Sequence, residues 1–366
     1  MRIVVKFGTS TLTAGTAKLN PRAMLELARQ IVQAREGGAE VIVVSSGAQA
    51  AGRERLGVLR AQQPPGMAYK QMLAAVGQSH LMRAWERVFG LFEVEVAQVL
   101  LTRADLGDRR RYLNARDAIE AILDQRIVPI INENDAVVTE EIKVGDNDNL
   151  SALVTNLMAA DLLLMLTDQE GLFTADPRRD PQAQLVARVE AITDATYAMA
   201  GTSRTGLGTG GMMTKLQAAE LAVRSGASAV IASGTRPEVI AQVAAGQAVG
   251  TLFAPSVTRV EARKRWILAE RPAGVIVVDD GAARALGRGK SLLAVGAREI
   301  RGTFDRGEVV AIHNLKDRPI GLGIVRYASD IAARALGKQS AALARLLGEG
   351  ADPILVHADD LALIVG

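Results

Sequence analysis

The 366-residue chain contains no cysteine. That absence removes disulfides, thiol nucleophiles and cysteine-ligated zinc. Histidine is nearly as scarce, three residues scattered along the chain, and no Gly-x-Ser-x-Gly nucleophile elbow is present. His80, alone on a long helical stretch, reads as structural. No apolar run approaches the roughly 20 residues a membrane-crossing helix needs. Met1 passes directly into a strand-like Ile-Val-Val with no signal-peptide pattern. The expectation is a soluble, cytoplasmic protein without membrane contact. The net charge of +3 is too small to imply a polyanionic partner for the chain as a whole. Residues 263–366 hold 16 Lys/Arg against 12 Asp/Glu, a mild basic excess that allows nucleic-acid contact without requiring it.

What is present is apolar and periodic. The hydrophobic fraction, 49%, is ample for large cores, and the length suggests two domains. Through about residue 255, short β-branched runs alternate with helical patterns: strands at 2–6, 40–44, 94–101, 127–131, 162–166, 229–232 and 250–253, with helices at 21–36, 67–89, 110–123, 150–158 and 212–226. That alternation predicts an α/β fold around a mainly parallel sheet, with ligands at the carboxyl ends of the strands. Residues 256–270, where Arg259, Arg263, Lys264 and Arg265 crowd together, read as an interdomain connection. Residues 271–366 break into short β-type segments with glycine turns, a small β-rich domain. Gly289-Lys290-Ser291 lacks the upstream glycine and the βα setting of a P-loop.

Three stretches carry candidate chemistry. Asn132–Asn149 packs six carboxylates, four asparagines and one lysine between a buried strand and an apolar helix. Such a mixture of donors and acceptors at a helix start suits a small polar substrate. Lys6-Phe-Gly-Thr-Ser10 places a lysine at a strand end before a turn of small residues, a setting for an anion. The turn Ser45-Ser46-Gly47-Ala48 repeats the pattern after the second strand. Gly206–Lys215 formally contains GxGxxG, but no strand closely precedes it, so the dinucleotide reading fails. A glycine-rich loop opening a helix, with Thr214 and Lys215 in the first turn, remains suited to phosphate. Two lysines on separate phosphate-type loops, with no obvious nucleophile–base pair, fit phosphoryl transfer, which depends on charge and positioning more than on covalent help.

Read in order, VVKFGTSTLT, VSSGAQAAGRERLG, KQMLAAVGQSHL, LLTRADLGDRRRYLNARD, VPIINENDAV, EIKVGDNDNLSALV, LLTDQEGLFTADPR and GLGTGGMMTKLQAA resemble the amino-acid kinase family, specifically its bacterial branch acting on free glutamate. SLLAVG, GTFDRGEVV and GLGIVRY resemble the PUA domain appended to many members of that branch. The resemblance implies a three-layer αβα sandwich in residues 1–255 and a PUA domain in 271–366. It implies ATP- and Mg²⁺-dependent phosphorylation of the L-glutamate side-chain carboxylate, the first step of proline synthesis. It further implies proline as feedback inhibitor and a homo-oligomer, dimer or tetramer. By position, Lys6 and Lys215 match the lysines that neutralise the phosphoryl group, and Asp148 the residue that orients them. Ser46, Gly47, Asp135 and Asn147 match the glutamate site. Lys6, Thr167, Asp168 and Thr209, Gly210, Gly211, Met212, Met213, Thr214 and Lys215 match the nucleotide site. No residue is assigned as a metal ligand; Asp146 is open between substrate, water-mediated Mg²⁺ contact and a helix cap. The rivals are a kinase for acetylglutamate or aspartate and, through the PUA segment, an RNA-binding protein.

Overall fold

The computed structural model describes residues 1–59, 66–138, 147–201, 211–255, 257–338 and 353–364. The chain divides into two compact units, Met1–Thr258 and Arg259–Gly366.

The first unit opens with β1 (Arg2–Phe7), the short helix α1 (Thr9–Thr13) and α2 (Pro21–Glu36). Local chemistry sets the start of α2: Asn20 Oδ1 accepts from the amides of Arg22 and Ala23, and Pro21 supplies a helical φ at the first position. There follow β2 (Glu40–Ser45), α3 (Ala48–Leu56), α4 (Met67–Gly90), β3 (Val96–Leu101), α5 (Arg103–Gly107), α6 (Arg109–Asp124), β4 (Val128–Glu133), α7 (Asn147–Leu157) and β5 (Leu162–Thr167). The unit closes with β6 (Arg188–Val189), α8 (Asp194–Met199), α9 (Met212–Arg224), β7 (Ser228–Ser233), α10 (Val239–Ala244) and β8 (Thr251–Phe253).

The eight strands form one sheet in the order β3-β4-β2-β1-β5-β7-β8-β6. Every pairing is parallel except β7 with β8. The period of two along β1 then assigns the layers. Ile3, Val5 and Phe7 pack with α2 and α4 through Leu27, Ile31 and Trp85. Val4 faces the opposite layer, with Leu150 and Val154 of α7 and Leu216 of α9. The result is a three-layer αβα sandwich. By the same alternation Lys6 lies on the face of Val4, and it is only 3% exposed.

One contact fixes the corner around the end of β2. Gly52 of α3 and Gly77 of α4 meet backbone to backbone: a Cβ on Gly77 would lie 1.7 Å from the Ala48 carbonyl oxygen. Trp85, deeper in α4, donates from Nε1 to Ser45 Oγ at 3.0 Å and stacks on Phe7, ring centroids 5.5 Å apart. Helix α4 therefore holds the last residues of β2 from beneath.

The second unit comprises α11 (Arg259–Ala269), β9 (Gly274–Val278), α12 (Asp280–Gly287), β10 (Leu292–Leu293), β11 (Ala297–Gly302), β12 (Val309–Asn314), β13 (Pro319–Ile324), α13 (Ser329–Ala335), β14 (Ile354–Val356) and β15 (Leu361–Leu363). Its sheet runs β11-β9-β12-β13-β15, with β10 and β14 paired separately. Ile276, Phe304, Val310, Ile312 and Leu355 form the core. The charged stretch read as a connection is mostly the helix α11. Its apolar anchor, Ile267, packs on Val309, Ile324 and Ala362. Polar composition disguised it: among its described side chains Ile267 alone is buried, and Arg263 adds an ion pair to Asp360.

The glycine crossing yields a sharp test. Gly77→Ala forces α3 and α4 apart and should lower the unfolding free energy of this unit by about 3 kcal/mol. Gly90→Ala, on the same helix with nothing within 4 Å of the added atom, should leave stability unchanged or slightly raised. Paired urea melts compare the two; equal midpoints would contradict the described packing.

Candidate active site

Because β1, β2, β4, β5 and β7 run parallel, their carboxyl ends gather at one edge of the sheet. Two helices, α7 and α9, start at residues of the sequence-predicted site. Helix α7 starts at Asn147, three residues before its apolar pattern, so Asn147 and Asp148 form its first turn. Helix α9 is preceded by Gly211 at φ 91°, a conformation that favours glycine.

Asp148 is completely buried. Its Oδ1 lies 2.6 Å from Lys6 Nζ and its Oδ2 3.1 Å from Lys215 Nζ. Thr214 donates from Oγ1 to the same Oδ2 at 2.7 Å. Thr214 Oγ1 and Lys215 Nζ also reach the Gly211 carbonyl oxygen, at 3.1 and 3.4 Å. Burial alone pushes the Asp148 carboxyl up. The two ammonium groups, Lys6 ahead of Lys215, outweigh that and hold it down at about 2. One carboxylate thus shares two lysines, leaving a local excess of positive charge beside a helix N-terminus. That is an arrangement for a multiply charged anion.

Next to it lies a chain of side-chain amides. Asn147 Nδ2 donates to Ser46 Oγ at 2.9 Å and to Asn132 Oδ1 at 2.8 Å. Asn132 Oδ1 also accepts from the Glu133 amide at 2.9 Å, and Asn132 Nδ2 donates to Gln78 Oε1 at 2.8 Å. These partners set each amide's orientation. With both N–H bonds of Asn147 engaged, its Oδ1 is the atom available as an acceptor. Ser46 Oγ accepts, so its own hydroxyl proton can be donated to a ligand. Gly47 follows at φ 105°, where a side chain would be strained and would press on Leu12.

The geometry thus unites Lys6, Asp148, Thr214 and Lys215 in one cluster and Ser46 and Asn147 in a second, joined through the adjacent residues 147 and 148. Gly211 borders the first cluster. Met212 and Met213 follow it in α9, with Met213 buried in the core. Asp135 lies half-buried in the turn after β4. Thr167, at the end of β5, donates from Oγ1 to Asp168 Oδ1 at 2.9 Å, and Asp168 is exposed. Thr209, Gly210 and Asp146 lie outside the described residues. Gln78 was not singled out from sequence, and Asn132 only as the first residue of the Asn132–Asn149 stretch, with no role of its own. Gln78 did carry a signal, as the one polar residue buried on the stripe Leu73, Ala74, Gly77, Leu81, Met82 and Trp85 of α4. Among the described residues, no group of three His, Asp or Glu side chains is placed to hold a metal ion.

Fold and site together define a phosphoryl-transfer protein, and the comparisons place it. Residues 1–233 match the amino acid kinase family, to which the chain belongs, and residues 274–347 match the PUA domain. It is 54% identical to the glutamate 5-kinase of Serratia marcescens over 360 residues, 98% of either chain. It is 55% identical to that of Photobacterium profundum over 364 residues, 99% of this chain and 96% of the other. A solved UMP kinase from Bacillus anthracis matches at 17% identity with a TM-score of 0.48 over 70% of this chain and 96% of that one, too low to bear on the assignment.

Asp148→Asn keeps the shape and removes the shared counter-charge. A carboxyl held at about 2 against its ordinary 3.8 contributes about 2–3 kcal/mol above pH 4, lost as pH falls toward 2. The parent should therefore exceed the variant in urea stability at pH 7, with the gap closing on acidification through that window. A gap independent of pH would contradict the pairing.

Proposed function

We infer that this chain is a glutamate 5-kinase, transferring the γ-phosphoryl group of ATP to the side-chain carboxylate of L-glutamate. The observation that carries this reading is the buried triad Lys6–Asp148–Lys215 set beside the Ser46–Asn147 amide cluster. The full-length relatives supply the substrate: those 54–55% identical to it carry that name.

The chemistry follows from charge. A glutamate carboxylate is already ionised at neutral pH, so the nucleophile needs no base, in keeping with a chain poor in histidine and lacking cysteine. A carboxylate oxygen attacks the γ-phosphorus in line. The bond from that phosphorus to the β–γ bridging oxygen breaks, ADP departs with the electron pair, and an acyl phosphate, glutamyl 5-phosphate, remains. Lys6 and Lys215 offset the repulsion between the anionic nucleophile and the phosphates and follow the charge as it moves to the leaving group. Asp148 keeps the two ammonium groups on one oxygen pair and so fixes their separation. The N-terminal turn of α9 and Thr214 suit the nucleotide phosphates, with Thr167 and Asp168 on the nucleotide side. The cluster fits a nucleotide. Mg²⁺, when bound, would draw negative charge from the phosphates; among the described residues no group of three carboxylates is placed to hold it, and Asp148 is already paired with both lysines.

On the substrate side, Asn147 Oδ1 and Asp135 are acceptors for the α-ammonium, and the Ser46 hydroxyl is a donor for a carboxylate. We take residues 1–255 as the catalytic domain and 271–366 as the PUA domain. The direct test is ADP release with L-glutamate, N-acetylglutamate and L-aspartate, with hydroxylamine trapping the acyl phosphate. ADP release and hydroxamate formation should both require free glutamate. Equal or faster turnover of acetylglutamate would overturn the substrate assignment.

A further inference from the structure

Hydrogen-bond accounting in the amide chain leaves one atom over. Gln78 is about nine-tenths buried, and its Oε1 is taken by Asn132. Its Nε2 is buried and has no hydrogen-bond partner among the described residues. A buried amide donor left unmatched is destabilising, and α4 could have carried Leu or Met here to match its neighbours Leu81 and Met82. The position is also held rigidly. Gly77, the preceding residue, lets α4 approach the first turn of α3 to backbone contact, and Trp85 ties the same helix to Ser45. Gln78 Oε1 can serve Asn132 only in one orientation, because Asn132 Oδ1 is committed to Asn147 and the Glu133 amide. Its N–H groups are thereby fixed as donors, two bonds from an amide chain that ends at Asn147 and Ser46.

We propose that Gln78 is a specificity-determining residue of the amino-acid pocket, its Nε2 donating to an α-carboxylate oxygen of the bound substrate while its Oε1 orients Asn132 and, through it, Asn147. The inference rests on the glutamate reading above. A donor needs an oxygen acceptor, and of the substrate's groups the α-ammonium cannot accept. The side-chain carboxylate is the reacting group and is directed at the phosphoryl site, so the α-carboxylate, which takes no part in the reaction, is the acceptor assigned to this donor. The amide thus has two uses at one position: an acceptor that sets the pocket's geometry and a donor that reads the ligand.

Two variants separate those uses. In Gln78→Glu, a carboxylate still accepts from Asn132, but an anionic oxygen replaces the donor. Gln78→Met keeps the length and loses both functions. Steady-state kinetics on the full chain should give a glutamate KM raised at least about tenfold in Gln78→Glu, with kcat within a few-fold and the ATP KM unchanged. Gln78→Met should show the same rise in glutamate KM and a fall in kcat, because the Asn132 and Asn147 amides are no longer held. Thermal melts establish which variants fold, and either folded variant decides. A purely structural role predicts that Gln78→Glu behaves as the parent; a parent-like glutamate KM in either folded variant overturns the proposal. Failure of the parent itself to release ADP with glutamate would instead sink the function on which this rests.

Discussion

One buried carboxylate shared by two lysines governs the site. Neither ammonium could sit at 3% or 8% exposure alone, because burying an unpaired charge costs several kcal/mol. Asp148 resolves this for both, yet with one negative charge against two positive ones. The surplus charge is the useful part: it favours an incoming phosphate, and the carboxylate keeps it from driving the lysines apart. Three separate elements must converge for this, the end of β1, the first turn of α7 and the first turn of α9. The parallel order of the central strands is what brings them to one edge.

The adjacent cluster differs in electrostatic character. The members joined by hydrogen bonds are neutral amides and a hydroxyl, each oriented by the next, with the Asp135 carboxylate in the turn after β4. Sequence adjacency of Asn147 and Asp148 joins the two clusters, and helix α7 presents one residue to each. A kinase acting on a free amino acid needs both, since the migrating group is strongly anionic while the acceptor carries charges of either sign.

Much of this was legible in the chain. Lys6 stands at the end of a β-branched run before Gly-Thr-Ser, and Lys215 in the first turn after a glycine-rich loop; each context alone suggests an anion. Which face of that strand Lys6 occupies emerged only with the packed layers, where it lies opposite Ile3 and Val5. Helix α7 was read as starting at Leu150, where its apolar pattern begins, because the polar first turn that holds Asn147 and Asp148 has no periodicity of its own. Helix α11 was hidden for a related reason, since charge outweighs its single anchor Ile267. The roles of Gln78 and Asn132 escaped because their meaning is relational. A glutamine on an apolar stripe becomes interpretable only once its partner, 54 residues away, is seen at 2.8 Å. Periodicity locates faces, but it does not locate a hydrogen bond across two layers.

The central claim, that Lys6 and Lys215 act as one unit through Asp148, is tested most directly by comparing Lys6→Ala, Lys215→Ala and the double variant in kcat/KM. Each single change should cost about 10²–10³ in rate. If the lysines work as a unit, the double variant should fall within roughly tenfold of the weaker single one, as groups acting jointly in catalysis do. Losses that multiply in full, to about 10⁴–10⁶, would mean the two charges act independently and would contradict the account.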